Sequence, residues 1–192
     1  MSNENGNNPD FNNILSEITK AQGKNQLPPV DKWNPDFCGD MDLVIKRDGT
    51  WHYQNSPIGR QRLVKLFSTV LKKEGDNYFL VTPVEKLGIK VEDAPFLVTR
   101  MDLEDTEKGP VIVFHDNCDN SFPLSSQHAL WVEQDQKTGE PSPYVTVRSN
   151  LHALIHRNVF YELVEIAEEQ VIDGAKHLGV ISAGEFYSLG TI

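Results

Sequence analysis

Apolar and polar residues alternate along most of this chain, and at three places the alternation gives way to a helical spacing. Phe11, Ile14, Leu15 and Ile18 recur at i, i+3, i+4 and i+7, the narrow stripe of a short amphipathic helix, with Asp10 placed to cap it and Gly23 to end it. Leu63, Phe67, Val70 and Leu71 form a second stripe, with Val64 and Leu66 at its margins. Val159 or Phe160, Leu163, Val164 and Ala167 form a third, in a helix expected over 157–171. The second helix is expected to open at Asn55-Ser56-Pro57, Ser56 as cap and Pro57 in the first turn, and to end at Gly75-Asp76-Asn77.

The second and third helices sit in the same structural sentence. Strand, two-residue turn, strand, amphipathic helix and closing strand run over 43–83 and again over 144–190. The turns are Asp48-Gly49, a strong hairpin signal, and Ser149-Asn150. Counting from the helices, Ile58 and Arg60 match Ile155 and Arg157, an offset of 97 residues (58 to 155). Between the copies, apolar runs over 96–103, 111–115 and 128–133 are separated by turn clusters rich in Asp, Asn, Gly and Pro, as in an antiparallel meander. The fold class that follows is α+β, in two small subdomains. Each has a hairpin, one amphipathic helix and closing strands, and the second adds meander strands. The expected boundaries are a flexible arm with a short helix over 1–30, an N-terminal subdomain over 31–95 and a β-rich C-terminal subdomain over 96–192. The Asn/Gly-rich stretch 1–9 is expected to be disordered.

Composition narrows the partners. The net charge of −10 over 192 residues repels phosphate backbones, which argues against general nucleic-acid binding. No apolar run approaches the ~20 residues needed to cross a bilayer, so no membrane partner is expected. The polar N-terminus lacks a basic n-region and an apolar h-region, and the expected compartment is the cytoplasm. Two cysteines, Cys38 and Cys118, make no disulfide framework and are expected to be free.

The chain carries no G-x-S-x-G elbow, no G-x-x-x-x-G-K-[ST] loop and no G-x-G-x-x-G turn, so no catalytic residue and no cofactor is assigned. His115, Asp116, Cys118 and Asp119 lie close in sequence, but no second cluster at ligand spacing supports a metal, and a polar hairpin loop accounts for them. Arg60 and Arg157 each occupy a first helical turn, where the helix dipole disfavours a cation. A compensating partner is expected, either a structural salt bridge pinning helix to hairpin or a bound anion. Arg62, Lys65, Lys72 and Lys73 fall on one face of the second helix, while Glu162, Glu165 and Glu169 mark the third. Those faces suit plain solvation, charge-matched docking between protomers as a weak homo-oligomer, or recognition of an acidic ligand or protein partner by the second helix of the chain.

The block WNPDFCGDMDLVIKRDGTWHYQNSPIGRQRLVKLFSTVL, the following YFLVTPVEKLGIKVEDAPFLV and the later PYVTVRSNLHALIHRNVFYELVE resemble the bacterial DUF1285 family over residues 31–192. The resemblance implies a two-part α+β protein with repeated structural motifs and a role in signal transduction. It brings no catalytic residues. Family-like positions are Arg60, Pro83, Glu85, Lys86, Asp93, Pro95 and Arg157. The function expected is that of a non-enzymatic regulatory or ligand-binding protein taking a small anion, with Arg60, Glu85, Lys86, Asp93 and Arg157 as the ligand-binding set. The alternatives are a hydrolase working through carboxylates such as Glu85 and Asp93, and an adaptor acting through its charged helices.

Overall fold

The computed structural model describes residues 10–23 and 26–192; the stretch 1–9, expected to be disordered, lies outside the described residues. The chain divides into two compact units, one taking Met1–Lys46 and Thr50–Glu92, the other Arg47–Gly49 and Asp93–Ile192.

The first unit contains α1 (Phe11–Ala21), β1 (Phe37–Ile45), β2 (Trp51–Tyr53), β3 (Ser56–Pro57), α2 (Gln61–Ser68), β4 (Leu71–Glu74), β5 (Asn77–Val81) and β6 (Lys86–Val91). Its sheet runs β3-β2-β1-β6-β5-β4. Every neighbouring pair is antiparallel except β1 with β6, so two three-stranded meanders meet at one parallel seam. Leu43, Ile45, Trp51, Phe67, Leu71, Leu80 and Leu87 fill the core. The apolar stripe of α1 joins them. Ile14 and Ile18 are fully buried, and the Phe11 ring lies 4.8 Å from Tyr53 and 5.1 Å from Phe67. That stripe is therefore used inside the first unit rather than held out for another chain.

The second unit contains β7 (Phe96–Thr106), β8 (Gly109–Asp116), β9 (Ser121–Pro123), β10 (Leu130–Gln134), β11 (Pro141–Arg148), β12 (Leu151–Ile155), α3 (Arg157–Glu165), β13 (Glu168–Ile172), β14 (Ala175–Ser182) and β15 (Glu185–Thr191). Its larger sheet runs β10-β11-β12-β7-β8-β9, and again one pair, β12 with β7, is parallel. A separate three-stranded sheet, β13-β14-β15, follows α3. The buried Ser182 hydroxyl ties it to the larger sheet, accepting from the Ile112 N–H at 3.1 Å and donating to the Leu124 carbonyl at 2.9 Å. The β8–β9 turn is set by buried Asp116, whose carboxylate accepts from the Cys118 N–H and from Asn120 N–H and Nδ2. Burial raises the Asp116 pKa against those bonds, and burial lowers that of nearby Arg148 against the pull of Asp116.

The internal repeat is present in the order of elements. At the offset of 97, α2 and α3 coincide, and each is followed by a three-stranded meander, β4-β5-β6 or β13-β14-β15. The copies differ in what the meander does: the first completes the six-stranded sheet through β6, and the second stands as its own sheet.

Three helix boundaries depart from expectation, both ends of α2 and the C-terminal end of α3. Ser56 and Pro57 do not open a helix. Gln54 and Asn55 adopt φ of 48° and 62°, the two left-handed positions of a type I′ hairpin turn, and Ser56-Pro57 returns as β3. At the other end α2 stops at Ser68, where the Ser68 and Thr69 hydroxyls donate to the Lys65 and Leu66 carbonyls at 2.6 Å each. Lys72 and Lys73 consequently lie on β4, and Glu169 lies on β13, beyond the end of α3 at Glu165. Alternation at Val70 and Leu71 satisfies helix and strand equally well, so the period alone cannot place the break.

Ile18→Ala is expected to lower unfolding stability by roughly 2–4 kcal/mol, as for a large-to-small change at a fully packed site. Exposed Lys20→Ala should change it by no more than about 0.5 kcal/mol. Urea midpoints of the two variants check both, and equal midpoints would show that α1 is not part of the packed first unit.

Candidate functional site

In the second unit a cleft of about 610 Å³ opens where the β12–β7 seam ends and α3 begins. The seam pairs Ala153 with Phe96, Leu154 with Leu97 and Ile155 with Val98, and the His156 N–H extends it by one bond to the Val98 carbonyl at 3.0 Å. This fixes the start of α3 against the sheet. Leu97, Leu154, Ile155 and Phe160 give the cleft apolar walls, with Pro141 and Pro143 of β11 opposite. Arg47, Asp48, Glu140, Ser142, His156, Arg157 and Tyr161 supply its polar groups. His156 caps the helix, its Nδ1 accepting the Asn158 N–H at 3.2 Å, which leaves Nε2 to carry the proton of the neutral ring. No acid occupies the first turn of α3.

The two arginines of the cleft differ in how they are held. Arg47 Nη2 donates to Ser142 Oγ at 3.1 Å, and its Nη1 lies 3.4 Å from Asp93 Oδ2. Asp93 is itself set by the Tyr144 hydroxyl, which donates to Oδ1 at 2.8 Å. Burial, with the Asp93 carboxylate beside it, pushes the Tyr144 phenol up to about 12. Behind Tyr144 the Trp131 ring stacks at 5.7 Å, and Ala94, Leu97 and Leu154 complete an apolar cluster. Arg157 is different: it is exposed and makes no ion pair or hydrogen bond with any described residue.

The other residues singled out from sequence fall as follows. Arg60 is the N-cap residue of α2, exposed, with no hydrogen bond or ion pair among the described residues. The structural salt bridge expected for it is absent among the described residues. Lys86 belongs to the first unit. Its ammonium pairs with Glu74 and lies 4.4 Å over the Phe79 ring, so it is satisfied internally, and with Lys72 it holds the Glu74 pKa down. Glu85, also in the first unit, accepts from Asn13 at 3.5 Å through Oε1, while its buried Oε2 has no hydrogen-bond partner among the described residues. Asp93 and Arg157 belong to the second unit. Of the expected basic helical face only Arg62 and Lys65 are on α2; Lys72 bonds to Glu74 and to the Trp33 carbonyl, and Lys73 lies over Tyr78. Glu162 and Glu165 are exposed on α3, and Glu169 pairs with Lys176 at 3.4 Å.

The His115–Asp119 stretch splits between two environments. Cys118 and Asp116 are buried, and among the described residues no group of His, Cys, Asp and Glu is placed to hold a metal ion. His115 instead bridges Ser121 Oγ, 2.7 Å from Nδ1, and Asp102 Oδ2, 2.8 Å from Nε2, with Arg100 on the same carboxylate. Sequence inspection missed this row because its members come from β7, β8 and β9, and only the register aligns them. Arg47, Ser142 and Tyr161 were missed for the same reason; the I-x-R pattern at Ile155 and Arg157 was the one signal pointing to the cleft.

Hairpin, helix and meander twice over, with a cleft in the second unit lined by two arginines and two acids, define a two-unit α+β protein of repeated motifs. The chain belongs to the DUF1285 family: residues 28–94 match its N-terminal domain of unknown function and residues 95–189 its C-terminal domain. It is similar to a DUF1285 family protein from Silicibacter pomeroyi DSS-3, solved by crystallography at 2.50 Å, with 42% identity and a TM-score of 0.81 over 93% of this chain and 95% of that one. A DUF1285 family protein from Shewanella baltica OS155, solved at 1.40 Å, shares the fold at 23% identity and a TM-score of 0.52 over 65% of this chain and 91% of that one. No curated protein matches. No described helix is long and apolar enough to cross a membrane.

The raised Tyr144 pKa has a sign that can be measured. Between pH 10 and about 12 the unfolded chain loses this proton and the folded protein keeps it, so stability falls as pH rises through that window. The full loss from this group is about 2–3 kcal/mol at most. Guanidinium unfolding at pH 9 and pH 11 should show a shallower fall for Tyr144→Phe than for the wild type; parallel curves would show that Tyr144 ionises freely.

Proposed function

We propose that the protein is a non-enzymatic binding protein and that the cleft of its second unit takes a small amphipathic anion, a carboxylate or phosphate on an apolar body. The supporting observation is Arg157, an exposed guanidinium without a partner among the described residues, on the wall of a cleft where it stands beside the apolar surface of Leu97, Leu154, Ile155 and Phe160, with Asp48 and Glu140 as the acids of the same lining. An arginine so placed can meet an anion through two parallel N–H bonds while the ligand body covers Leu154, Phe160 and Tyr161. Arg47 would orient the ligand less freely, being already engaged by Ser142 and Asp93. A regulatory use of such binding, in signal transduction, belongs to the same reading. A hydrolase built on Glu85 and Asp93 has less support, since Asp93 is committed to Tyr144 and Arg47 and Glu85 is a residue of the other unit.

A thermal-shift panel of aromatic and aliphatic carboxylates and phosphates, each with its uncharged amide or ester, tests this. Ligands that bind only the native state raise its melting temperature. Anions are expected to raise it and their neutral counterparts not. Arg157→Ala should weaken binding about 10- to 150-fold, the equivalent of one lost charge-assisted hydrogen bond of roughly 1.5–3 kcal/mol. Arg157→Lys should restore only part, because an ammonium lacks the planar fork. A panel without a single responding anion, or unchanged affinity in Arg157→Ala, would end the proposal.

A further inference from the structure

The three-stranded sheet of the second unit has two unlike edges. On one side β15 packs beside β10. On the other, all five residues of β13 are exposed, including Val171 at 68% and Ile172 at 36%. Its counterpart in the first copy of the repeat, β4, buries Leu71 completely and has no fully exposed residue. Tyr161, Val164 and Ile166, just before β13 in the chain, are also exposed apolar side chains.

The hydrogen-bond phase of β13 can be read from its neighbours. Ile172 and Ala175 flank a two-residue turn, Asp173 and Gly174, whose φ values of 51° and 82° are those of a type I′ hairpin. Such a turn is closed by a hydrogen-bonded pair, so Ile172, Gln170 and Glu168 bond inward to β14. The Lys176 carbonyl accepts from the Ile192 N–H at 3.0 Å, on the β15 side, which makes its pairing with Val171 the non-bonded kind. The N–H and C=O groups of Glu169 and Val171 therefore point out of the sheet, and no described residue pairs with them. The edge carries no proline and no lysine, the common protections of an open strand.

We propose that β13 is the docking strand for a second copy of this chain, the two β13 strands pairing antiparallel about a two-fold axis through Gln170. In that register Glu169 of each copy exchanges both backbone hydrogen bonds with Val171 of the other, using all four outward groups on each side. The side chains are compatible as well. Glu168 faces Ile172 of the second copy, Glu169 faces Val171, and Gln170 faces its own image, so no two carboxylates stand directly opposite, an arrangement that would be destabilising. The Glu169 charge is offset by Lys176 of its own hairpin. Because the contact is isologous it closes at two copies, giving a continuous six-stranded sheet β15-β14-β13-β13-β14-β15 instead of a filament. This surface is separate from the cleft, and the proposal does not depend on the cleft being occupied.

Two variants and one control test it, with the whole 192-residue chain in a Cys38→Ser background, since Cys118 is buried. A single strand pair with its flanking side chains makes a small interface of the weak class, so sedimentation velocity should span about 1–500 µM protein. The wild type is expected to pass from monomer to dimer across the series. Val171→Pro removes an outward N–H and no inward bond, so it should remain monomeric throughout with an unchanged circular-dichroism spectrum. Gln170→Cys should form a disulfide dimer under oxidised glutathione, since facing residues of a non-bonded pair lie about 4.5 Å apart at Cα, within disulfide reach. Glu168→Cys, about 13 Å from its image, should not. A wild type that stays monomeric, a dimer that survives Val171→Pro with the same affinity, or Glu168→Cys cross-linking as readily as Gln170→Cys would each overturn the proposal. Should Val171→Pro fail to fold, the contrast between the two cysteine variants decides alone.

Discussion

Parallel strands cannot be joined by a tight turn; the chain between them has to cross from one end of the sheet to the other, and whatever it carries is placed by that crossing. Each six-stranded sheet here has one parallel pair at its centre, β1 with β6 and β12 with β7. In the first unit the crossing carries β2, β3, α2, β4 and β5, so the helix is enclosed by the connection and Phe67 is fully buried. In the second unit the crossing from β7 to β12 is made of strands alone, and the helix comes after it. The two copies of the same motif thus meet their seams in different phase. That difference leaves α3 starting at the open end of a seam, with Arg157 on a cleft wall, while Arg60 at the matching position faces solvent.

The cleft depends on this seam at every point. Leu97, Leu154 and Ile155 are seam residues, and His156 extends the seam by a backbone bond before it caps the helix. Arg47 owes its position to a polar chain, Tyr144 to Asp93 to its own guanidinium, whose first member is packed against Trp131 and Leu97. One arginine is therefore preorganised at the expense of its freedom to bind, and the other is free at the expense of preorganisation.

What could be read along the chain was what neighbouring residues decide. The hairpin signal at Asp48-Gly49 and the stripe of Ile14 and Ile18 are local patterns, and both are present, although the turn holds three residues, 47–49, between Lys46 and Thr50 instead of the two expected. The match of Arg60 with Arg157 holds to within one helical position, Arg60 being the N-cap of α2 and Arg157 the first residue of α3. That Gly49 also has to lack a side chain, because a Cβ would stand 2.9 Å from Asn117 Nδ2, depends on a residue 68 positions away and leaves no local trace. The ends of α2 and α3 were misjudged because Val70 and Leu71, or Val164 and Ala167, continue a helical stripe and begin an alternating one equally well. The unequal fates of Arg60 and Arg157 were out of reach for a similar reason: the walls that surround Arg157 come from residues 47, 97 and 141–143.

The two thiols give each unit a chemical reporter of its own. Cys38, in the first unit, is exposed and open to alkylation in the native protein. Cys118, in the second, is 1% exposed beneath a turn clamped by the Asp116 carboxylate, and a reagent reaches it only when that turn opens. The rate of its modification relative to a free thiol therefore measures the opening equilibrium of the second unit without denaturant. Any molecule that binds or bridges that unit will register as a slower reaction at a sulfur it never touches.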